Sequence, residues 1–231
     1  SYILKMIFHW DVPFIVLSEH EKEVLSSRFS PKTVYALPNC VETGDNVDKT
    51  DKSSVLTIGY LGRITEAKGM KELLEACVTL QSKGIPYILK IAGSQDKNES
   101  YIETFEKSLG NSFEYVGIIS GKAKKDFLNS IDVFALPSYF EGLPLSLLES
   151  MSYGAVPVVT SVGSIPEVVN NGVNGILIKG HDVDSIVDAI ISLYEQEGLR
   201  KDLSKAARVT IVEQFSPARY FEKLNKIYQS V

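Results

Sequence analysis

Two acidic residues stand eight positions apart where an apolar segment gives way to a predicted helix. Glu141 lies in the loop 138–145, and Glu149 lies in the apolar helix predicted over 146–152. The spacing predicts that the loop and the first helical turn present both carboxylates to one cleft. A carboxylate within an apolar helix needs partners, and either ligand hydroxyls, such as the vicinal pair of a ribose, or a structural salt bridge would supply them.

Two basic residues follow another apolar segment in the same way. Arg63 and Lys68 are five positions apart, with Gly62 before them and Gly69 directly ahead of a predicted helix. Cations near a helix N-terminus suit an anion such as a phosphate, while two solvated charges around a turn are the alternative. The amides of Gly142 and Leu143 are predicted to lie at a helix N-terminus, free to donate to the same kind of ligand.

Two further loops follow predicted strands at the same edge of the sheet. The first contains Gly117 and Ile118, for which a plain strand end is the alternative to a ligand contact. The second is GSIPE (163–167), in which Glu167 contacts a ligand or, as the alternative, belongs to a tight turn where it is capping or solvated. Ligands of open α/β sheets bind beyond the carboxyl ends of the strands, so we expect the four loops to meet there.

The segments that position these loops alternate between strand-like and helix-like patterns. Continuous apolar runs, typical of strands buried on both faces, occupy 14–17, 33–37, 55–61, 87–92, 113–116, 133–136, 156–160 and 175–178. Amphipathic helices are predicted over 70–81, 122–130, 183–195 and 218–230. This alternation predicts an α/β fold with a doubly wound parallel sheet.

The chain divides at a polar segment. ETGDNVDKTDKSS (42–54) reads as a linker. Residues 1–45 then look like the end of a truncated N-terminal domain, since they hold too few elements to fold alone. Residues 46–215 form a complete domain, and 216–231 form a terminal helix with Pro217 in its first turn.

Composition excludes several classes of protein. A net charge of −5 over 231 residues disfavours nucleic-acid binding. Two cysteines and three histidines without metal-ligand spacing predict neither a disulfide framework nor a zinc site, which fits a reducing, cytoplasmic location. No apolar run approaches the roughly 20 residues of a membrane span. Neither GxGxxG nor GxxxxGK[ST] occurs, so NAD enzymes and P-loop ATPases are disfavoured.

An ordered set of short motifs covers nearly the whole chain. It comprises Leu17-Ser18-Glu19, Leu37-Pro38-Asn39, Gly62-Arg63 with Lys68-Gly69, the Glu141-x7-Glu149 signature in EGLPLSLLE, GSIPEVV (163–169) and NNGVNG (170–175). Together these motifs resemble the C-terminal domain of the group 1, or family 4, retaining glycosyltransferases. The resemblance implies a GT-B fold of two Rossmann-like domains, of which this chain carries the nucleotide-sugar-binding one.

The resemblance also implies roles for individual residues. Arg63 and Lys68 would neutralise the departing diphosphate, and Glu141 would contact the donor sugar and phosphate together with the amides of Gly142 and Leu143. Glu149 would hold the ribose hydroxyls. Gly117 and Ile118 would receive the nucleobase. The other implied donor-binding positions are Gly62, Phe140, Pro144 and Leu145.

The implied enzyme is a bacterial hexosyltransferase-type glycosyltransferase of polysaccharide biosynthesis. Its donor would be a nucleotide sugar, with UDP as the commoner family case, and its acceptor a glycan or lipid-linked glycan bound through the missing N-terminal domain. No DxD-type carboxylate pair stands in the ligand loops, so no metal or other cofactor is expected. Peripheral contact with the inner face of the membrane stays open for the full-length protein. The alternative is a noncatalytic nucleotide- or protein-binding module on the same fold.

The motifs depart from the family pattern at two places. Ser164 stands where the family commonly has the second glycine of its GGIPE turn. The loop after the run 87–92 reads Gly93-Ser94-Gln95-Asp96 rather than GxG. Both departures concern the fine contacts to the donor.

Overall fold

The computed structural model describes residues 12–29, 33–44, 55–96 and 98–230. Its first part is a small unit of two parallel strands, β1 (Phe14–Val16) and β2 (Val34–Ala36), joined through helix α1 (Glu19–Phe29). The first eleven residues of the predicted N-terminal remnant lie outside the described residues, as does most of the predicted linker.

A six-stranded parallel sheet forms the main part of the molecule. Its strand order is β5-β4-β3-β6-β7-β8. The strands are β3 (Leu56–Leu61), β4 (Tyr87–Ala92), β5 (Phe113–Gly117), β6 (Val133–Leu136), β7 (Val156–Thr160) and β8 (Ile176–Ile178). All eight predicted strands are confirmed, with ends that differ by one residue at most.

Seven further α-helices accompany the sheet in the described residues. They are α2 (Met70–Ser82), α3 (Tyr101–Leu109), α4 (Gly121–Ser130), α5 (Leu145–Ser152), α6 (Val183–Glu195), α7 (Glu197–Gln214) and α8 (Pro217–Ser230). The predicted helices are all confirmed, whereas α1, α3 and α7 were not singled out from the sequence. Helix α7 buries only Leu203, Ala207 and Ile211, a stripe of one residue per turn that gives a weak amphipathic signal.

The core lies between the sheet and its helices. Every residue of β6 and β7 is buried, which explains why these runs are continuously apolar rather than alternating. Helix α2 packs against α3 and α6, and α5 packs against α7. The predicted doubly wound α/β class is therefore confirmed.

The order of the strands reverses between β3 and β6, which are hydrogen-bonded neighbours at the centre of the sheet. Counted from β3, the order is 3-2-1-4-5-6, which is the Rossmann arrangement. Ligands of such sheets bind in the crevice at the point of reversal. The loops at this point are 62–69, after β3, and 137–144, after β6.

The segment after β2 runs along the main sheet domain. The Val41 amide donates to the Phe215 carbonyl at 3.0 Å, and Val41 is buried in the main core. A Cβ on Gly44 would lie 2.7 Å from the Tyr153 ring. Residues 41–44 thus pack on the sheet domain, while the predicted boundary at 45/46 falls at the edge of the undescribed segment 45–54 and stays a prediction.

None of the helices described over 12–29, 55–96 and 98–230 combines the length and the apolar character that crossing a membrane requires.

Candidate functional site

The two loops at the strand reversal are held together backbone to backbone. Gly69 adopts a left-handed φ of 71°, and a Cβ at this position would lie 2.2 Å from the Pro137 carbonyl oxygen. The Tyr139 amide donates to the Ala67 carbonyl at 3.0 Å. Only glycine allows this approach at position 69, and the approach carries the neighbouring Lys68 toward the loop after β6.

Lys68 and Glu141 form an ion pair between these loops. The Lys68 ammonium nitrogen lies 2.6 Å from Oε1 of Glu141, and the side chains are 27% and 9% exposed, respectively. A largely buried carboxylate is costly without a partner, so Lys68 stabilises Glu141 in this position. The structure therefore brings together two residues that stand 73 positions apart in the sequence.

The loop after β7 supports the other side of Glu141. Gly163 has a φ of 55°, and a Cβ there would lie 1.9 Å from the Glu141 carbonyl oxygen. The Ser164 amide donates to the Gly142 carbonyl at 3.2 Å. Gly163, the first residue of the turn, is thus required by close packing. Ser164, at φ −91°, stands at the second glycine of the GGIPE pattern without backbone strain.

The prediction that the amides of Gly142 and Leu143 lie at the helix N-terminus is wrong. The helix begins at Leu145, one residue earlier than predicted, and extended Pro144 directly precedes it, so Gly142 and Leu143 lie outside its first turn. The amides of the first turn belong to residues 145–147, since Leu148 is the first to bond back, to the Pro144 carbonyl. Leu143 is buried, and Phe140 and Leu145 are exposed beside this helix end.

Glu149 has a protein partner that sequence reasoning missed. The Lys124 ammonium nitrogen, on α4, lies 2.7 Å from Oε1 of Glu149. The structural salt bridge, one of the two alternatives for this carboxylate, is thus present. The described residues supply no further hydrogen bond to the Glu149 side chain. The basic run GKAKK (121–125) was the signal that could have pointed to Lys124.

Arg63 pairs with a different carboxylate from Lys68. Its Nη2 atom lies 3.2 Å from Oδ2 of Asp96, and both side chains are exposed. The Tyr60 hydroxyl donates to the Arg63 carbonyl. Burial, with the Glu141 charge as a second cause, raises the pKa of Tyr60, which keeps this hydroxyl a donor. Convergence of Arg63 and Lys68 on one anion stays a prediction.

The loops after β3, β4 and β5 abut through glycines. The Gly93 amide donates to the Gly117 carbonyl at 2.9 Å, and a Cβ on Gly93 would lie 1.7 Å from the Gly62 carbonyl oxygen. One glycine at position 93 is enough for this approach, which explains why GSQD needs no second one. Ile118, the predicted nucleobase contact, comes directly after Gly117 and is 79% exposed.

Glu167 caps a helix, but not in its own turn. Its carboxylate accepts from the amides of Glu19, at 3.0 Å, and His20, at 2.9 Å, at the start of α1. The sequence offered capping as one alternative, and the structure places that cap on an element 147 residues away. Glu167 thereby joins α1 to the loop after β7.

A group of three or more histidine, cysteine, aspartate or glutamate side chains suited to a metal ion is not found within the described part of the chain. The expectation of metal independence stays a prediction.

Comparison with known families decides the chain's membership. The family described as glycosyl transferases group 1 matches residues 45–210. This chain belongs to the group 1 glycosyltransferases. The match includes every residue that the sequence pointed to at the carboxyl edge of the sheet.

Curated relatives of this glycosyltransferase chain are longer than the chain itself. The Staphylococcus aureus capsular polysaccharide biosynthesis glycosyltransferase CapM is 28% identical over 75% of this chain and 46% of its own length. The Campylobacter jejuni N,N'-diacetylbacillosaminyl-diphospho-undecaprenol alpha-1,3-N-acetylgalactosaminyltransferase is 30% identical over 80% of this chain and 47% of its own length. The chain thus spans about half the length of these relatives.

Solved structures share the fold. Sucrose-phosphate synthase from Thermosynechococcus elongatus superposes with a TM-score of 0.86 at 20% identity, covering 99% of this chain and 60% of that one. Anabaena HepE in complex with UDP gives a TM-score of 0.81 at 17% identity, covering 94% of this chain and 63% of that one. These neighbours are GT-B glycosyltransferases, so the predicted fold family is confirmed.

Proposed function

We propose that this chain supplies the donor-binding half of a retaining glycosyltransferase whose donor is a nucleoside diphosphate sugar, with UDP as the nucleotide. The observation that carries the proposal is the Lys68–Glu141 ion pair, held between two loops at the strand reversal of the sheet. An established family and a charged pair at the ligand edge of a Rossmann-like sheet support donor binding at this place.

The charges of the site match those of the reaction. Cleavage of a glycosyl–phosphate bond builds negative charge on the diphosphate and oxocarbenium-like charge on the sugar. Lys68 exchanges Glu141 for the diphosphate, and Arg63 adds a second positive charge. The free amides of the first turn of α5 donate to the same phosphates. Because these groups are all part of the chain, we propose that the reaction needs no divalent metal.

The neighbouring loops provide contacts for the rest of the donor. The free oxygen of Glu149 accepts from the ribose hydroxyls, and the backbone of Gly117 and the exposed Ile118 receive the nucleobase. Phe140 and Leu145 flank the sugar-phosphate region with exposed apolar surface. The neighbour HepE is known as a complex with UDP, which supports uridine as the nucleoside.

The acceptor belongs to the remainder of the enzyme in this proposal. The curated relatives carry names of capsular polysaccharide and diphospho-undecaprenol chemistry. We propose a glycan or lipid-linked acceptor bound through an N-terminal domain, a cytoplasmic location, and peripheral membrane contact where the acceptor is lipid-linked.

Calorimetric titration with UDP, GDP and ADP, each in EDTA and again with magnesium, tests the donor site. We expect UDP to bind, with equal affinity in EDTA and magnesium. Binding of GDP or ADP alone would correct the base. Absence of binding by all three nucleotides would contradict a donor site in this chain.

A further inference from the structure

A second buried carboxylate lies next to the site and has no role in the donor contacts above. Glu72, in the first turn of α2, is 8% exposed. The Tyr139 hydroxyl donates to its two oxygens at 2.8 and 3.0 Å, and Nδ1 of His181 lies 3.3 Å from Oε1. Throughout the described ranges, no lysine or arginine pairs with Glu72, so a tyrosine and a histidine are its partners.

The three side chains form a compact cluster that joins the start of α2 to the loops after β6 and β8. The His181 ring packs on the Tyr139 ring with 3.9 Å between centroids. His181 has a φ of 57°, a left-handed conformation that is unfavourable for a non-glycine residue. Burial and the bond to Glu72 raise the pKa of Tyr139, so its hydroxyl remains a donor. The contacts with the Tyr139 ring and with Glu72 accompany this conformation of His181.

The cluster is connected to the Lys68–Glu141 pair through the backbone. Tyr139 stands two residues before Glu141, and its amide donates to the carbonyl of Ala67, which directly precedes Lys68. A Tyr139 side chain fixed by Glu72 and covered by His181 therefore holds the backbone of both partners.

We propose that Glu72, Tyr139 and His181 form a positioning cluster that holds the loops of Lys68 and Glu141 in register, so that Lys68 is placed for the diphosphate of the donor. The ligand named here rests on the proposed function, while the positioning itself rests on the contacts. None of the three residues touches the donor in this proposal. They act through the Tyr139 amide and the two loops that it joins, and small displacements of binding groups are costly.

Tyr139→Phe removes the hydroxyl and keeps the ring on His181. We expect UDP affinity to fall about tenfold and uridine affinity to stay unchanged, because only the diphosphate contacts Lys68. The matched control is Tyr87→Phe, which removes a buried hydroxyl that donates to the Cys77 carbonyl at 2.8 Å. This control should lower the melting temperature and leave the ratio of UDP to uridine affinity unchanged.

Variants of Glu72 test whether the cluster acts as one unit. Glu72→Gln keeps an acceptor for Tyr139 and should lose about threefold in UDP affinity, whereas Glu72→Ala should match the tenfold loss of Tyr139→Phe. The double variant Glu72→Ala/Tyr139→Phe should lose no more than either single variant, since both remove the same contact. Additive losses of UDP affinity in the double variant would contradict the proposal that the cluster acts as one unit.

A readout without nucleotide separates this inference from the proposed function. The carbon-13 NMR resonance of the Glu141 carboxyl should shift in Tyr139→Phe and stay in place in Tyr87→Phe. If wild-type protein binds UDP but Tyr139→Phe weakens UDP and uridine equally, or leaves the resonance in place, the positioning role is overturned and the donor site stands. If the resonance shifts but wild-type protein binds no nucleotide, the donor site fails and the positioning stands.

Discussion

At the scale of single residues, the site depends on carboxylates that are partly or largely withdrawn from water. Glu141 and Glu149 each have one lysine partner, and each lysine comes from a different element than the carboxylate. A partly buried carboxylate is favourable only while a partner is present, either the lysine or a ligand. The first prediction rests on the exchange of Glu141 for the diphosphate at Lys68, and the second rests on the Glu149 oxygen that Lys124 does not contact.

Lys68→Ala should weaken UDP binding by about 10- to 150-fold, since a charge-assisted hydrogen bond contributes about 1.5–3 kcal/mol. Uridine binding should change little, because the nucleoside lacks the diphosphate. Calorimetry with both ligands measures the difference. Lys71→Ala, an exposed lysine on α2, is the control and should bind both ligands as wild type does. Equal losses for UDP and uridine would contradict the diphosphate role of Lys68.

Glu149→Gln should weaken UDP about 3- to 10-fold and 2′-deoxy-UDP by less, because a neutral amide accepts more weakly than a carboxylate from the ribose hydroxyls. Competition binding with the two nucleotides measures the ratio. Glu106→Gln, on the exposed face of α3, serves as control. The same loss for both nucleotides would contradict the contact of Glu149 with the ribose 2′-hydroxyl. The salt bridge to Lys124 would then be the only role left for Glu149.

At the scale of elements, glycines and caps decide how the loops approach each other. Gly69 has a left-handed φ, and the Pro137 carbonyl oxygen occupies the space that a side chain at this position would need. Gly84 has nearly the same φ, 70°, but a Cβ at that position would have no neighbouring atom within 4 Å. A comparison of substitutions at the two glycines therefore separates the cost of backbone strain from the cost of steric contact.

Gly69→Ala should lower the free energy of unfolding by more than Gly84→Ala does. The shared left-handed conformation costs about 1–2 kcal/mol in each variant, and the contact with the Pro137 carbonyl adds to it only at position 69. Urea denaturation monitored by circular dichroism measures both. Equal destabilisation would mean that the two loops separate at no cost, which would contradict their close packing.

The contact between Glu167 and α1 joins the small N-terminal unit to the loop after β7. Glu167→Ala removes two hydrogen bonds and a negative charge at a helix N-terminus, where such a charge stabilises by about 0.3–1 kcal/mol. We expect faster hydrogen exchange of the Glu19 and His20 amides, measured by mass spectrometry. Glu106→Ala should leave these rates unchanged, and unchanged rates in Glu167→Ala would contradict the cap.

At the scale of the whole molecule, the chain provides one sheet domain and a small two-stranded unit, and it spans about half of its curated relatives. Transfer in the proposed enzyme needs both a donor and an acceptor site. The proposed donor site would supply its own positive charges, through Arg63, Lys68 and the partial charge of the first turn of α5. This arrangement leads to a prediction about metal dependence.

The full-length enzyme should retain its transfer activity in EDTA. In the proposed mechanism, fixed cations and helix amides would stabilise the departing diphosphate without a divalent ion. Activity measured with and without the chelator, on a UDP-sugar and the natural glycan acceptor, checks this expectation. Abolition by EDTA and restoration by manganese would refute the metal-free mechanism.

Local sequence patterns were sufficient to predict the strands, the α/β class and the four loops that meet at the carboxyl edge. Continuous apolar runs are local signals, and β6 and β7 show them because every one of their residues is buried. The same reasoning missed α7, whose buried stripe is one residue per turn. It also wrongly assigned the amides of Gly142 and Leu143 to the start of α5, whose first turn begins only after Pro144.

The pairing of charges, by contrast, could be read only from the folded molecule. Lys124 with Glu149, Asp96 with Arg63, and Glu167 with the start of α1 join positions 25 to 148 residues apart. The same holds for Glu72, Tyr139 and His181, which come from three separate segments of the chain. Local patterns specify burial and periodicity, but the choice of a partner depends on distances that exist only once the sheet has brought its loops to one edge.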